Sequence, residues 1–195
     1  MNEIIQLKIK LRGSEPEIWR RIQVDYDTSF FDLHHIIQIT MGWQNYHLYE
    51  FRFENYRVSE PDEEMDGIYP DLQYLDPRNE VGPCLGKVGV TCEYEYDFGD
   101  GWKHDIVVEK IINADAKTKY LACIGGELRC PPEDCGGIHG FYHTLRVLAD
   151  KSDPEHKEMK TWVGKNYDPE KFDIESVNRK LKSLDNYIEK WLENG

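Results

Sequence analysis

A chain of 195 residues with 39% hydrophobic and 12% aromatic residues can bury a core without disulfide or metal staples, which excludes a disordered chain. Its 24 Lys and Arg against 37 Asp and Glu leave a net charge of −13, a poor starting point for binding nucleic acid, which rests on cationic contacts to phosphate. The start, MNEIIQLKIKLRG, lacks the form of a secretion signal, no apolar run approaches a membrane span, and five cysteines are an odd number, so the expectation is a cytoplasmic protein with reduced thiols.

The first elements read as a hairpin. Ile5, Leu7, Ile9 and Leu11 alternate with Gln6, Lys8, Lys10 and Arg12, the pattern of a half-buried strand. GSEP at 13–16 is a turn, and EIWRRIQV at 17–24 is the partner strand. Lys8, Lys10, Arg12, Arg20 and Arg21 make the best local basic strip, read here as the solvent faces of these two strands. Thr28 to Met41 is a predicted helix. Ser29 and Asp32 form a capping-box-like pair, Phe30, Leu33, Ile37 and Met41 share a face, and Gly42 is the stop. Of His34 and His35, at least one lies near the apolar face in a structural role.

YHLYEFRF at 46–53 alternates as a strand, with a second short strand at 56–59. Residues 60 to 82, acidic and punctuated by Pro and Gly, read as a surface excursion with little regular structure. Val88 to Phe98 is the strongest predicted strand. Tyr94, Tyr96 and Phe98 point one way, and Glu93, Glu95 and Asp97 point the other. GDG at 99–101 turns the chain, and Trp102 to Ile111 returns. A short strand over 120–124 is expected next. A helix starts at Gly137, with Ile138, Tyr142, Leu145 and Leu148 at helical spacing. Another starts at Asp153-Pro154 and runs to about Val163. A last, long helix capped by Asp173 carries the stripe Ile174, Val177, Leu181, Leu184, Ile188 and Trp191. Strands first and helices last predict an α+β fold: an antiparallel sheet, one helix after the first hairpin, and C-terminal helices packed on the sheet. The whole chain, 1–195, is expected to be one domain, with 152–195 its helical extension.

Several islands, taken in order, carry a resemblance: QLKIKLRGSEPEIWRRIQV, LHHIIQITMGWQNYHLYEF, YEYDFGDGWKHDIVVE, CPPEDCGG and FDIESVNRKL. In this order and spacing the chain resembles the plasmid pRiA4b ORF-3-like family over roughly residues 3 to 185. The resemblance implies a roll-like α+β domain of bacteria and archaea, carried on plasmids and near mobile elements. It implies no activity and no catalytic residues. Asp25 stands where many relatives have proline, and the family does not require His139 or His143.

Two stretches are candidate sites. CPPEDCGGIHGFYH, residues 130 to 143, offers Cys130, Cys135, His139 and His143 as zinc ligands, with Cys123 as a further one. One wide C-x4-C pair is looser than the paired C-x2-C of strong zinc motifs, so zinc is the minor reading and no cofactor is the expectation. The leading reading is a rigid corner between strand and helix. Pro131-Pro132 sets an extended entry, Asp134 caps the helix, and Gly136-Gly137 allows the turn. In YDFGDGWKH, Asp97, Asp100 and His104 gather around one turn. They suit a divalent ion or acid–base work, although Asp-Gly is also ordinary hairpin chemistry. If the two stretches meet, Asp97, Asp100, Trp102, His104, Glu133 and Asp134 line one acidic and aromatic surface. That surface suits a protein or peptide partner better than nucleic acid or membrane. The favoured reading is a non-enzymatic binding or accessory domain. The alternative is a metal-dependent hydrolytic enzyme using Asp97, Asp100, His104 and the CPPED acids.

Overall fold

The computed structural model describes residues 3–60, 72–115 and 120–194. β1 (Glu3–Leu11) and β2 (Trp19–Asp25) form the expected hairpin, with Leu7 opposite Ile22. The remaining strands are β3 (Tyr49–Arg52), β4 (Tyr56–Val58), β5 (Gln73–Leu75), β6 (Thr91–Tyr96), β7 (Trp102–Asn113) and β8 (Ala122–Glu127). They make one sheet in the order β5-β4-β3-β6-β7-β1-β2-β8. Every pairing is antiparallel except β4 with β5. With six helices among the described residues, the fold is α+β.

α1 (Phe30–Met41) begins and ends as the residue types dictate. Ser29 Oγ accepts from Asp32 N at 2.9 Å, and Gly42 closes the helix at φ 94°. A cap of this kind is worth about 1 kcal/mol, whereas each fully buried large apolar side chain contributes roughly 1.5–3. Burial of Phe30, Leu33, Ile36 and Ile37 therefore decides that α1 forms, and the cap decides where. The helix is covered on both sides. The sheet lies under Phe30, and α5 (Ile174–Leu181) and α6 (Leu184–Asn194) pack over its other face. Both His34 and His35 are therefore fully buried. Tyr94 Oη accepts from Gln38 Nε2 and donates to His34 Nδ1, while His34 Nε2 donates to Asn45 Oδ1, so His34 is held neutral.

Several expectations need correction. The strand before the GDG turn stops at Tyr96, because Asp97 takes a left-handed φ of 56°. That breaks the alternation, turning Phe98 outward and Asp97 inward. The last helix is two helices: Ser183 N bonds Lys180 O at 2.9 Å in a tightened turn, and α6 swings to lay Tyr187 and Trp191 on His35. The helical spacing of Leu181 and Leu184 runs through that break and hides it. The helix expected from Pro154 starts later, as α4 (His156–Trp162). Part of the 60–82 excursion is regular: β5 pairs with β4, followed by α2 (Gly82–Leu85), with Val81 and Leu85 fully buried. Residues 61–71 of that excursion lie outside the described residues.

The basic strip is neutralised where it stands. Lys8 and Lys10 pair with Glu17 at 3.2 and 2.6 Å, Arg12 pairs with Glu93 and Asp105, and Arg21 pairs with Glu109 at 2.5 Å. Arg20 is not on the solvent face at all. It follows Ile18, Ile22 and Val24 inward, as the period of two requires.

Burial pushes the pKa of His34, His35 and His104 down, His104 to about 4 from 6.5. The unfolded chain binds protons below about 6.5 that the folded chain refuses, so stability present above that pH is lost as pH falls toward 4. Denaturant titrations between neutral pH and about pH 4 are expected to show this loss, with His104 alone contributing roughly 3 kcal/mol. His104→Gln should flatten the slope. An unchanged slope would mean that His104 is not held neutral by burial.

Candidate functional site

The segment carrying the cysteines is placed by Arg20. Its Nε donates to Thr40 O (2.8 Å), Nη1 to Trp19 O (2.7 Å) and Glu127 O (2.8 Å), and Nη2 to Leu128 O (2.9 Å) and Cys130 Sγ (3.3 Å). The guanidinium also lies 3.9 Å over the Phe172 ring. One side chain thus ties β2, the end of α1 and the exit from β8 to the start of the 130–137 corner.

Beyond Cys130 the corner is pinned to two other segments. Trp43 Nε1 donates to Pro131 O at 3.0 Å. Glu133 accepts from Gln44 N at 2.7 Å and from Tyr96 Oη at 2.6 Å. Burial first, and Glu133 second, push the Tyr96 phenol pKa up, so it remains a hydrogen-bond donor. Asp100 Oδ2 accepts from Gly136 N at 3.1 Å. Gly137 backs so closely onto the turn that a Cβ there would stand 2.4 Å from Asp100 O, and its φ is +68°. The 97–100 turn and the 130–137 corner therefore face one another, as the shared-surface reading requires.

His47 stands between them. Its Nε2 is 3.1 Å from Asp134 Oδ1 and 3.6 Å from Asp97 Oδ2. These three donor atoms lie within 4.8 Å of one another, the one such group able to hold a metal ion among the described residues. Asp97 Oδ1 accepts from Gly99 N at 3.0 Å and Asp100 N at 3.3 Å, which leaves Oδ2 toward His47. Asp97 and Asp134 both adopt left-handed φ, at 56° and 58°, conformations that cost a non-glycine residue free energy.

Other sequence-predicted residues fall elsewhere. Asp134 does not cap α3 (Gly137–Ala149). The cap position is Gly136 at φ 87°, with no side-chain hydrogen bond, and Asp134 serves His47 instead. Trp102 and His104 lie beneath the surface, because the inward face of β7 runs Trp102, His104, Ile106 and Val108. There they back the site through Trp43, whose ring lies 5.7 Å from Trp102, 5.3 Å from His104 and 5.2 Å from Tyr96. Cys130, Cys135, His139 and His143 are not gathered into a ligand set. Cys130 is buried against Arg20 and Met41. Cys135 is half-buried, His139 is exposed, and His143 bonds Glu155 and Arg146. Cys123 bonds Gly125 O in β8. Burial, joined by Asp100, pushes the Cys135 thiol up to about 12, so it stands as a neutral thiol.

Sequence reasoning missed His47. It read as part of a strand from 46, whereas β3 starts at Tyr49. The signal was Asn45, a residue type tolerant of left-handed turns, found here at φ 64°. His47 is flanked by Tyr46 and Leu48, both about 70% exposed (72% and 70%), and Asp97 is followed by the exposed Phe98. Beside Asp134 opens a cleft of about 390 Å³ whose lining includes Asp134, His143, Glu155, Glu158, Met159 and Trp162.

Gly137→Ala should detach the corner from the turn. The neighbour is backbone, so the clash cannot be relieved by a side-chain swing, and a loss of about 2–4 kcal/mol is expected. Gly164→Ala, also at positive φ (+89°) but with open space around its Cβ, controls for conformational strain alone. It should cost about 1 kcal/mol by urea denaturation. Equal losses would contradict the close approach.

A family profile of plasmid pRiA4b ORF-3-like proteins matches residues 3–176. The chain is 33% identical over 189 residues to the uncharacterized protein y4hQ of Sinorhizobium fredii, covering 96% of this chain and 94% of that protein. Among solved structures, MM3350 from Methanosarcina mazei Go1, described as a protein of unknown function, superposes with a TM-score of 0.80 at 32% identity. The match covers 91% of this chain and 98% of that one. Islands, order and fold agree: the chain belongs to the plasmid pRiA4b ORF-3-like family.

Proposed function

We propose that the protein is a non-enzymatic binding or accessory module, in keeping with the plasmid origin in its family's name, and that its acidic and aromatic face receives a cationic segment of a protein partner. The carrying observation is the cleft beside the pinned corner. Glu158 supplies negative charge, Asp134 and Glu155 add theirs while bonded to His47 and His143, and Trp162, 49% exposed, supplies an aromatic wall. A lysine or arginine side chain fits this chemistry twice over, by ion pairing at its head and by stacking on the ring. Tyr46, Leu48 and Phe98 extend the face with exposed apolar surface. Such anchors give a partner its contact area while the acids select its charge. The net charge of −13 draws the same class of partner at long range.

The test is titration of short Arg/Lys-rich peptides followed by Trp fluorescence or calorimetry, with acidic peptides of equal length as controls. Wild type should bind the basic peptides saturably. The exposed-residue variant Glu155→Gln/Glu158→Gln/Trp162→Ala should weaken binding about tenfold or more. Equal affinity in wild type and variant would sink the proposal.

A second reading rests on His47, Asp97 and Asp134. One imidazole and two carboxylates suit a divalent transition-metal ion, and three protein ligands would leave positions open for a substrate or water. This is the metal-dependent alternative with a different histidine from the one the sequence suggested. Calorimetric titration with Zn²⁺ and Mn²⁺ decides it. Stoichiometric uptake abolished by His47→Ala would favour it, and the absence of uptake by wild type would retire it.

A further inference from the structure

We infer that the opposite charge class also has a site on this acidic chain: a small pocket that binds the phosphate group of a low-molecular-weight phosphate monoester. The pocket, about 250 Å³, lies where α1 ends and α5 begins. Arg129, Lys171 and Lys180 line it, with Asn166 and Ser176 as neutral polar groups. None of these three cations forms an ion pair among the described residues, in contrast to the strip on β1 and β2, where Lys8, Lys10, Arg12 and Arg21 are all paired. Arg129 is also held in place, its guanidinium 4.9 Å over the Tyr167 ring.

The buried wall of the pocket makes the stronger argument. Arg20 lines it and is 1% exposed, yet its partners are four carbonyl oxygens, a thiol and an aromatic ring, with no carboxylate among them. A buried cation is normally matched by a counter-charge, because carbonyl dipoles satisfy its hydrogen bonds without cancelling its charge. All the donor nitrogens of Arg20 are engaged, so it acts on a ligand through its field and not by direct contact. Asp173 is the one carboxylate in the lining, and its Oδ1 is taken by Ser176 N at 2.9 Å as the cap of α5. An anion seated against Arg129, Lys171 and Lys180 would supply the missing counter-charge, and phosphate offers several acceptors for such forks and ammoniums. The pocket's size admits one phosphate group with a small appendage. Three cations in one small pocket of a chain of net charge −13 offer fewer contacts than a nucleic-acid backbone needs.

The experiment is amide NMR of the full chain titrated with inorganic phosphate and, separately, with a sugar phosphate. Chloride at matched ionic strength and a short single-stranded oligonucleotide serve as controls. Saturable shifts confined to the amides around Asn166, Lys171, Ser176 and Lys180 are expected with both phosphates. The exposed variant Lys171→Gln/Lys180→Gln should weaken them about tenfold or more while leaving the rest of the spectrum unchanged. Shifts reproduced by chloride, a variant that binds as well as wild type, or tighter binding of the oligonucleotide than of either phosphate would each overturn the inference.

Discussion

A single buried guanidinium holds the functional half of this fold in register. Arg20 is surrounded by the carbonyls of Thr40, Trp19, Glu127 and Leu128. Those groups belong to three places in the chain: the end of α1, β2 itself, and the exit from β8 at Glu127 and Leu128. Thr40 O is buried and the other three acceptors are part-buried, and an acceptor buried without a partner costs about 1–3 kcal/mol. The guanidinium answers several at once with a rigid fork, which a lysine ammonium could not reproduce. The entry to the 130–137 corner is therefore a consequence of β2 and not an independent loop. Glu133 then fixes the middle of the corner to Tyr96 and Gln44, and Asp100 fixes its end. By the time the chain reaches α3, the positions of Asp134, Asp97 and His47 are determined.

The sequence was legible where burial has a simple period. The β1–β2 hairpin, α1 with Ser29 and Gly42 at its ends, and the paired strands around GDG all followed from alternation, helical spacing and cap chemistry. The same rule, applied strictly, also placed Arg20. It lies two residues from Ile18 and two from Ile22, on the core face. Reading it by its charge instead of its position put it in solvent. His104 was misplaced for the same reason, since Trp102, His104 and Ile106 alternate inward on β7. What periodicity cannot show is where it ends. A left-handed residue at Asp97, a two-residue break between Leu181 and Leu184, and a three-residue strand at Gln73–Leu75 carry no periodic signature.

The candidate site was half legible. The sequence names the two motifs of Asp97, Asp100, Glu133 and Asp134 but gives their meeting only as a condition. The residue that joins them, His47, lies in neither. Its position depends on Trp43, Gln44 and Tyr46 each bonding the corner or Tyr96, so it is set by tertiary contacts between segments 50 to 90 residues apart. No local pattern encodes contacts of that range. The cysteines, by contrast, were conspicuous in sequence, yet Cys130 and Cys135 are not gathered with His139 and His143 among the described residues. Cys130 fills a gap between Arg20 and Met41, the ordinary role of a buried thiol.

Net charge gave the sign of the surface but not its distribution. On the β1–β2 face, carboxylates from Glu17, Glu93, Asp105 and Glu109 cancel the cations residue by residue. Acid collects at the cleft of Asp134, Glu155 and Glu158, and base collects at the pocket of Arg129, Lys171 and Lys180. Arg20 touches both regions, because it lines the basic pocket and donates to Cys130 at the root of the acidic corner. An interaction that displaced Arg20 would strip the carbonyls of Glu127 and Leu128 of their donor and loosen the corner's entry. The two regions are thus chemically opposite and mechanically joined, and the joint is one arginine on the core face of the first hairpin.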